Sequence, residues 1–485
     1  MSPVRIRSPA PSSFTILPHP KRYTPAVYPS HIGLKTLFAI SSVIVLLSRL
    51  SHHQLVWVEE AYGLAAAAEV LRGRNLYSDI WFDKPPVYAW FYMLNGAHAG
   101  WSLRLLDTAF VIATACCVGL LARQFWGDEE GWIAASLICF SLTFWIPASV
   151  MAITPDQLVL VPFTLALLFA VQKRPLLAGA LVGAAVLCNS KGLLALPAVL
   201  LWTWRQWQVT LAGFSAVTAA HVAVVPVGPY WQEVWIWGAR YSGDTFLQNP
   251  LVEGVRRTAS WAGFHMTLVT AAAWCLRRGE AARLGLVVVI CFASVVAGLR
   301  FFPRYYFFLL PPLAVLAARG LTLLPARFCV GVVLLLFIPL VRFAPRYFSQ
   351  KNWSDTVLMS DSSAASQLML KYRTKPKPSL LVWGYRPEVF VFSGLPAATR
   401  FLDSQPLTGV LADRHLITSK VTYPEIASGN RRELINSKPD FIVDGLGLLN
   451  PALAISSYGD LEMWLRHYKV VGETRTSIVY QRNPE

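Results

Sequence analysis

The stretch Gln157–Arg205, QLVLVPFTLALLFAVQKRPLLAGALVGAAVLCNSKGLLALPAVLLWTWR, contains three apolar runs joined by very short polar connections. Its charged residues are Lys173, Arg174, Lys191 and Arg205, and none of them is acidic. A helix on the surface of a soluble protein needs a polar face, and these runs have none. The stretch therefore predicts helices whose solvent is lipid.

The composition extends this prediction to the whole chain. Of its 485 residues, 55% are hydrophobic and 14% charged, and the mean hydropathy is +0.45. Soluble domains carry about 25% charged residues. The formal net charge is +16, but the chain has no nucleic-acid-binding motif, so we expect no nucleic acid partner. All seven cysteines lie in apolar segments, which predicts neither a disulfide framework nor a zinc site.

The distribution of apolar and basic residues predicts a polytopic α-helical membrane protein with about eleven transmembrane helices. The candidate spans are about 36–50, 105–122, 132–151, 157–172, 175–190, 192–204, 209–227, 259–276, 284–299, 305–318 and 328–343. Alternate connections carry the basic residues that the positive-inside rule assigns to the cytoplasm. These are Arg123, Lys173, Arg174, Arg205, Arg277, Arg278, Arg283, Arg319 and Arg327. An odd number of spans places the C-terminus outside.

The chain divides into three predicted regions. Residues 1–32 are rich in Pro, Ser and basic residues, which predicts a disordered cytoplasmic tail. Residues 33–343 form the transmembrane domain, with a long first outer loop at 51–103. Residues 344–485 are expected to be a small soluble extracytoplasmic α/β domain, with strands at 379–383, 440–443, 469–471 and 477–480 and helices near 362–372, 423–436 and 459–467.

The first outer loop carries charges at defined places. Glu59 and Glu60 follow the first span directly, so they lie at the membrane surface. Lys84 precedes Pro85 and Pro86, which fix the backbone and deny it a helix. On its own, the carboxylate pair favours an interpretation as ordinary solvated loop charges.

Three more connections on the same predicted face are polar. Asp156 leads into an apolar helix, and taken alone this motif favours a helix cap. Lys191 is a charge in an otherwise uncharged run, or a simple interfacial lysine. Arg304 and Tyr305 are also typical of an interfacial aromatic belt. Taken together, acids and cations from different connections on one face predict a site that binds a phosphate and removes a proton.

These motifs carry a resemblance to a known family. The runs Glu59–Tyr62, Gly73–Tyr77 and Trp81–Pro86 resemble the first outer loop of the dolichyl-phosphate-mannose protein mannosyltransferase and lipid A aminoarabinose transferase family, which has the GT-C fold. Later motifs resemble its other conserved segments, and the similarity spans roughly 40–485. Those motifs are Thr154–Leu158, Ser190–Gly192, Pro303–Tyr306, Leu310–Pro312 and Trp383–Tyr385.

One departure from the family pattern concerns the base. The family has Asp where this chain has Glu59, which moves the carboxylate by one methylene, roughly 1.5 Å. The assignment of the base therefore stays open between Glu59 and Glu60.

The resemblance implies a bacterial membrane glycosyltransferase of the plasma (inner) membrane. It moves a hexosyl or pentosyl unit from a polyprenyl-phosphate carrier to an acceptor lipid, glycan or protein on the outer face, by base-assisted inverting attack. The implied catalytic residues are Glu59, Glu60 and Asp156, and the implied donor-phosphate ligands are Lys84, Lys191, Arg304 and Tyr305. A divalent metal, magnesium or manganese, held by Glu59, Glu60 and Asp156 is left open.

Two other function classes predict different sequences. A transporter or lipid flippase has helix-breaking pairs in matching halves and charges spread through the membrane depth. A non-catalytic scaffold leaves the clustered acids and lysines without a role. The chain shows no internal repeat, and its charges gather on one predicted face, which favours the enzyme.

Overall fold

The computed structural model describes residues 31–484 except 244, 246, 280, 350–353, 411–420 and 422. The predicted tail therefore lies almost entirely outside the described residues. Up to residue 349 the described chain is helical. Its α-helices are α1 His31–Leu50, α2 Val58–Leu71, α3 Val87–Met93, α4 Trp101–Phe125, α5 Asp128–Ser141, α6 Pro147–Val150, α7 Pro155–Leu158, α8 Leu160–Val171, α9 Pro175–Cys188, α10 Ala195–Thr203, α11 Trp207–Val222, α12 Val227–Tyr230, α13 Trp237–Gly243, α14 Pro250–Phe264, α15 Met266–Arg277, α16 Ala282–Val296, α17 Leu310–Leu323, α18 Ala326–Leu334, α19 Phe337–Phe343 and α20 Pro345–Phe348.

Short irregular helices join some of these elements. The segments Ser190–Leu194, Trp204–Gln206 and Pro303–Leu309 are 3₁₀-helical, and Trp231–Ile236 is π-helical. Two of them, at 190–194 and 303–309, carry predicted site residues.

Each of the eleven predicted apolar segments overlaps at least one helix, but eleven full spans are not established. Within the described residues, four helices are long and apolar enough to cross a membrane, and a pair bent by 117° makes a fifth if counted as one span. Further apolar helices are shorter, with 10–17 residues. The four are Gly33–Leu50, Trp101–Phe125, Pro303–Leu323 and Ala326–Phe348, and the bent pair is Ser190–Val222 with Val227–Gly243.

The helices pack through small residues. A Cβ added to Gly179 on α9 would overlap the Thr210 carbonyl on α11, and one added to Gly213 would overlap the Leu176 carbonyl. Close backbone approach of this kind is how helices associate in lipid, where apolar burial supplies little drive. The glycines are therefore required by the packing of α9 against α11.

Helix α4 defines the two ends of the bundle. It runs over 25 residues, about 37 Å, so the segment before Trp101 and the segment after Phe125 lie at opposite ends. Near the second end, Arg319 pairs with Glu130 at 2.9 Å, and Lys173 donates to the Trp202 carbonyl at 3.1 Å. This end carries basic connections of the kind that the sequence places in the cytoplasm.

The C-terminal region, residues 354–484, combines helices with one described sheet of four strands. The strands are β1 Leu380–Trp383, β2 Phe441–Asp444, β3 Tyr468–Glu473 and β4 Ile478–Arg482, and the helices are α21 Ser354–Tyr372, α22 Glu388–Ser393, α23 Gln405–Thr408, α24 Pro424–Ile435 and α25 Glu462–Leu465. The strand order is β1-β2-β4-β3, with β1 and β2 parallel and the other pairs antiparallel. All four strands lie within two residues of their predicted positions.

The C-terminal region lies directly on the predicted first outer loop. Arg72 donates to the Gly394 carbonyl at 2.8 Å, and Arg74 donates to the Thr399 carbonyl at 3.0 Å. The Trp81 amide donates to the Arg400 carbonyl at 2.8 Å. The two regions therefore share one end of the bundle, opposite the basic connections.

Candidate active site

Glu59 and Glu60 are adjacent in helix α2, but their side chains lie in different surroundings. Glu60 occupies the third helical position, and its carboxylate accepts a hydrogen bond from the Trp57 backbone amide at 2.9 Å at the helix start. Its side chain is fully buried, 2.5 Å and 3.0 Å from two Arg104 nitrogens, and Arg104 also pairs with Asp107. Arg104 further donates to the Leu55 carbonyl at 2.6 Å. The structure thus places Glu60 in a buried network that fixes the start of α2.

Glu59 faces the other way because successive helix residues are about 100° apart. Its carboxylate lies 2.5 Å from Arg304, and both side chains are about one-fifth exposed. Arg304 lies in the 3₁₀ segment before α17 and also donates to the Ala148 carbonyl at 3.3 Å. The structure therefore joins the first predicted acid to the last predicted cation.

The second acidic motif meets the lysine turn. Asp156 lies in the first turn of α7, at whose start the Thr154 amide donates to the Gln157 side-chain oxygen at 3.2 Å. Its Oδ1 is 3.0 Å from Lys191 Nζ and accepts a hydrogen bond from Asn189 at 3.1 Å.

Lys191 also contacts the fourth motif. Its ammonium nitrogen lies 3.1 Å from the centroid of the Tyr305 ring, a cation–π contact. Gly192, which follows it, has no room for a side chain, because a Cβ there would overlap the Ala185 backbone. The turn is therefore pressed against α9, which fixes the position of Lys191.

Lys84 joins the group from the first loop. Its Nζ is 2.6 Å from Asp83 and 5.9 Å from the centroid of the Tyr241 ring. Burial disfavours the ammonium, but the Asp83 carboxylate outweighs this and raises the pKa of Lys84. Lys84 also interacts electrostatically with Lys191 and Tyr305. It is therefore a charged member of the same site.

The site residues form one connected set. Arg304 interacts electrostatically with both Glu59 and Asp156, and Tyr305 interacts with Asp156 and Lys84. Six of the seven predicted residues are thus brought together, and Glu60 is not among them. Their charges are arranged as neighbouring ion pairs at one end of the bundle.

Some residues of this site were missed at the sequence level. Asp83 lies in the Trp81–Pro86 motif but is not among the predicted acids. Arg300 has its guanidinium carbon 3.8 Å from the centroid of the Tyr241 ring and interacts electrostatically with Lys191. Its position four residues before Arg304 was an available signal, whereas nothing in the sequence pointed to Tyr241.

The C-terminal region contributes Tyr385, which follows β1. Its ring centroid is 6.0 Å from that of Tyr62, and its hydroxyl interacts electrostatically with Tyr88, Glu59 and Asp83. Burial raises the pKa of Tyr385 well above 10, with these neighbours adding to the effect. The phenol is therefore neutral and able to donate a hydrogen bond beside Glu59.

The carboxylates of this site do not fit the divalent metal that the sequence left open. Within the part of the chain that the structure describes, no three His, Cys, Asp or Glu side chains converge to hold an ion. Glu59, Asp156 and Glu60 each pair with a different cation. No chemical step is therefore assigned to magnesium or manganese.

Comparison with known proteins agrees with this architecture. Residues 83–232 match the family described as dolichyl-phosphate-mannose-protein mannosyltransferase. The crystal structure of ArnT from Cupriavidus metallidurans bound to undecaprenyl phosphate is similar at a TM-score of 0.59 and 16% identity, covering 94% of this chain and 100% of that one. The apo ArnT structure gives the same TM-score at 15% identity and the same coverage.

A second enzyme has a related fold. The Archaeoglobus fulgidus oligosaccharyltransferase, tethered to an acceptor peptide containing the NVT sequon, is similar at a TM-score of 0.52 and 12% identity, covering 94% of this chain and 74% of that one. A search of curated proteins finds no match by sequence. The resemblance predicted from the motifs is confirmed: the chain has the GT-C fold of the mannosyltransferase and ArnT-like membrane glycosyltransferases.

Proposed function

We propose that this protein is a membrane glycosyltransferase that moves one sugar from a polyprenyl-phosphate carrier to an acceptor hydroxyl. The observation that carries the proposal is the joined pairs Glu59–Arg304 and Asp156–Lys191, with Lys84 beside them, at one end of a GT-C bundle. A base and several cations in one partly exposed site match the needs of a phosphate leaving group.

Glu59 acts as the general base. It takes the proton of the acceptor hydroxyl as that oxygen attacks the anomeric carbon. Such help is typically worth about 10²–10⁴-fold in rate. Glu59 is paired with Arg304. The donor phosphate competes for this guanidinium, which frees the carboxylate when donor is bound.

The cations receive the charge of the leaving group. As the acceptor oxygen–carbon bond forms, the carbon–oxygen bond to phosphate breaks and its electron pair stays on the phosphate. Lys84, Lys191 and Arg304 stabilise that charge, and Tyr305 holds Lys191 in place. The lipid phosphate needs no protein acid, and a single displacement inverts the anomeric centre.

The other two acids support the site rather than reacting. Glu60 fixes the start of α2, and with it Glu59, through its buried contacts to Arg104 and Trp57. Asp156 anchors Lys191 and Asn189. The base role that the sequence leaves open is therefore assigned to Glu59.

The reaction takes place outside the cytoplasm, at the bacterial plasma (inner) membrane. Support comes from the basic connections near Lys173 and Arg319, which lie at the opposite end of the bundle from Glu59. The C-terminal region then faces the same compartment as the site.

The test is a transfer assay with purified protein, a panel of undecaprenyl-phosphate sugars and envelope glycan or lipid acceptors. The expected products are a glycosylated acceptor and free undecaprenyl phosphate, in equal amounts, identified by mass spectrometry. Movement of the intact sugar lipid across vesicles without a new glycosidic bond would establish the flippase alternative instead.

A further inference from the structure

The segment that carries Lys84 is held from outside its own loop. In the Tyr77–Lys84 segment, the Phe82 amide donates to Glu233 at 2.8 Å. Glu233 lies in the π-helical segment Trp231–Ile236, 151 residues away in sequence, and is almost completely buried. Its contact is one residue from Asp83 and two from Lys84.

The same carboxylate is paired with the C-terminal region. Arg400 forms an ion pair with Glu233 and donates to the Tyr77 carbonyl at 2.7 Å. The Trp81 amide in turn donates to the Arg400 carbonyl at 2.8 Å, and the Arg400 guanidinium carbon is 5.7 Å from the centroid of the Trp81 ring. Arg400 therefore contacts this segment at Tyr77 and Trp81, and Glu233 contacts it at Phe82.

The backbone of the segment needs this support. Tyr77 has φ of +73°, in the left-handed region that residues with a Cβ avoid, and its side chain is fully buried. Such a conformation persists only where the surroundings determine it. The Tyr77 hydroxyl donates to the Lys84 carbonyl at 2.9 Å. The hold on Tyr77 is thereby transmitted to Lys84.

We infer that Glu233 and Arg400 are positioning residues that place Asp83 and Lys84 in the donor-phosphate site, so that the C-terminal region controls donor affinity. This inference rests on the proposed function in assigning Lys84 to the donor phosphate. Neither residue touches the reacting atoms, and each acts through the Tyr77–Lys84 backbone.

The test compares Arg400→Met with Arg72→Met in the full-length protein in detergent. Arg72 lies in the same interface, but it donates to the Gly394 and Leu395 carbonyls and pairs with Glu69, whereas Arg400 donates to the Tyr77–Lys84 segment. Two readouts need no turnover: hydrogen–deuterium exchange of the peptide covering 77–84, and binding of undecaprenyl phosphate. Donor KM and kcat are measured as well.

Arg400→Met is expected to speed exchange at the Phe82 and Trp81 amides and to weaken undecaprenyl phosphate binding about tenfold, as loss of a charged hydrogen bond does. Donor KM rises with little change in kcat, Arg400→Lys restores part of the loss, and Arg72→Met leaves exchange at 77–84 unchanged. In a Lys84→Ala background, Arg400→Met has no further effect on binding.

Equal behaviour of the two methionine variants would overturn the inference, as would an undiminished Arg400→Met effect without Lys84. If the wild-type protein transfers no sugar, the proposed function fails. The exchange and lipid-binding measurements still decide whether Arg400 positions Lys84.

Discussion

Two clusters of charge begin one residue apart and differ in their access to solvent. The site cluster, Glu59–Arg304 with Asp156–Lys191, has side chains 18–24% exposed. The buried cluster, Glu60–Arg104–Asp107, has 0%. Both clusters consist of carboxylates that form close ion pairs with cationic side chains. Ion pairing is therefore common to both clusters, and access for a competing ligand is what distinguishes the site cluster from the buried cluster.

Energetics explain why the two clusters suit different tasks. Solvent-exposed pairs are worth about 0–1 kcal/mol, and a pair with partial access to water lies between these and a buried pair, so a substrate phosphate can replace one partner at lower cost than in the buried cluster. Breaking a buried pair costs about 3–5 kcal/mol, because a charge is left without a partner away from water. The site cluster is therefore suited to exchange partners, and the buried cluster is suited to hold α2.

The largest expected effect is on turnover. Glu59→Gln retains size and most hydrogen bonding but removes the proton acceptor, so kcat should fall about 10²–10⁴-fold while undecaprenyl phosphate still binds. Glu59→Asp should retain more activity because it keeps the charge. A transfer assay under saturating donor measures both. Near-normal turnover in the glutamine variant would remove Glu59 from the mechanism.

Arg104→Met should act on stability instead. It leaves Glu60 and Asp107 buried without their cation, at a cost of about 3–5 kcal/mol. The matched control is Arg256→Met, which removes an exposed pair with Glu253 and should cost less than about 1 kcal/mol. Thermal unfolding in detergent compares the two. Equal melting temperatures would show that the buried cluster does not hold the fold.

Lys84→Ala should weaken donor binding by roughly 10- to 100-fold, since it removes a charged hydrogen-bond donor near the leaving phosphate. Lys84→Arg should recover only part, because a planar guanidinium and a compact ammonium differ in reach. Titration with undecaprenyl phosphate provides the measurement. Wild-type affinity in Lys84→Ala would place the residue outside the donor site.

The smallest expected effect is a pH dependence in the C-terminal region. Burial alone would raise the pKa of Asp361, but hydrogen bonds from Thr476 and Ser477 and the charge of Arg386 lower it overall. A lowered folded-state pKa gives stability above the unfolded pKa that is lost as pH falls through the folded one. Melting temperature should therefore drop in acid, and less steeply in Asp361→Asn. Identical slopes of melting temperature against pH in the wild type and Asp361→Asn would show that Asp361 does not contribute to the pH dependence.

The sequence predicted more of the fold than of the full set of residues that surround the site. Apolar runs located the helices, and alternation of apolar and polar residues located the four strands. Both patterns can be read locally, because the spacing of buried residues along the chain differs between helices and strands. Short helices and the bent pair were not predicted as such, since tertiary packing sets them. The sequence predicted an outer loop at 51–103, whereas the structure forms α2 and α3 within it.

Within the candidate site, local motifs predicted Glu59, Lys84, Asp156, Lys191 and Arg304, which the structure brings close together. Local sequence does not predict which way a side chain points or which distant residue it contacts. The buried partner of Glu60 is Arg104, 44 residues later, and the partner of the Phe82 amide is Glu233, 151 residues later. Such partners follow from the assembled fold.

The most direct test of the account is to measure transfer rate and melting temperature for Glu59→Gln and Glu60→Gln side by side. The account predicts that Glu59→Gln loses turnover at an unchanged melting temperature. It predicts that Glu60→Gln melts earlier yet transfers sugar at close to the wild-type rate per folded molecule. The reverse pattern, with Glu60→Gln inactive but stable and Glu59→Gln active, would contradict it and move the base into the buried cluster.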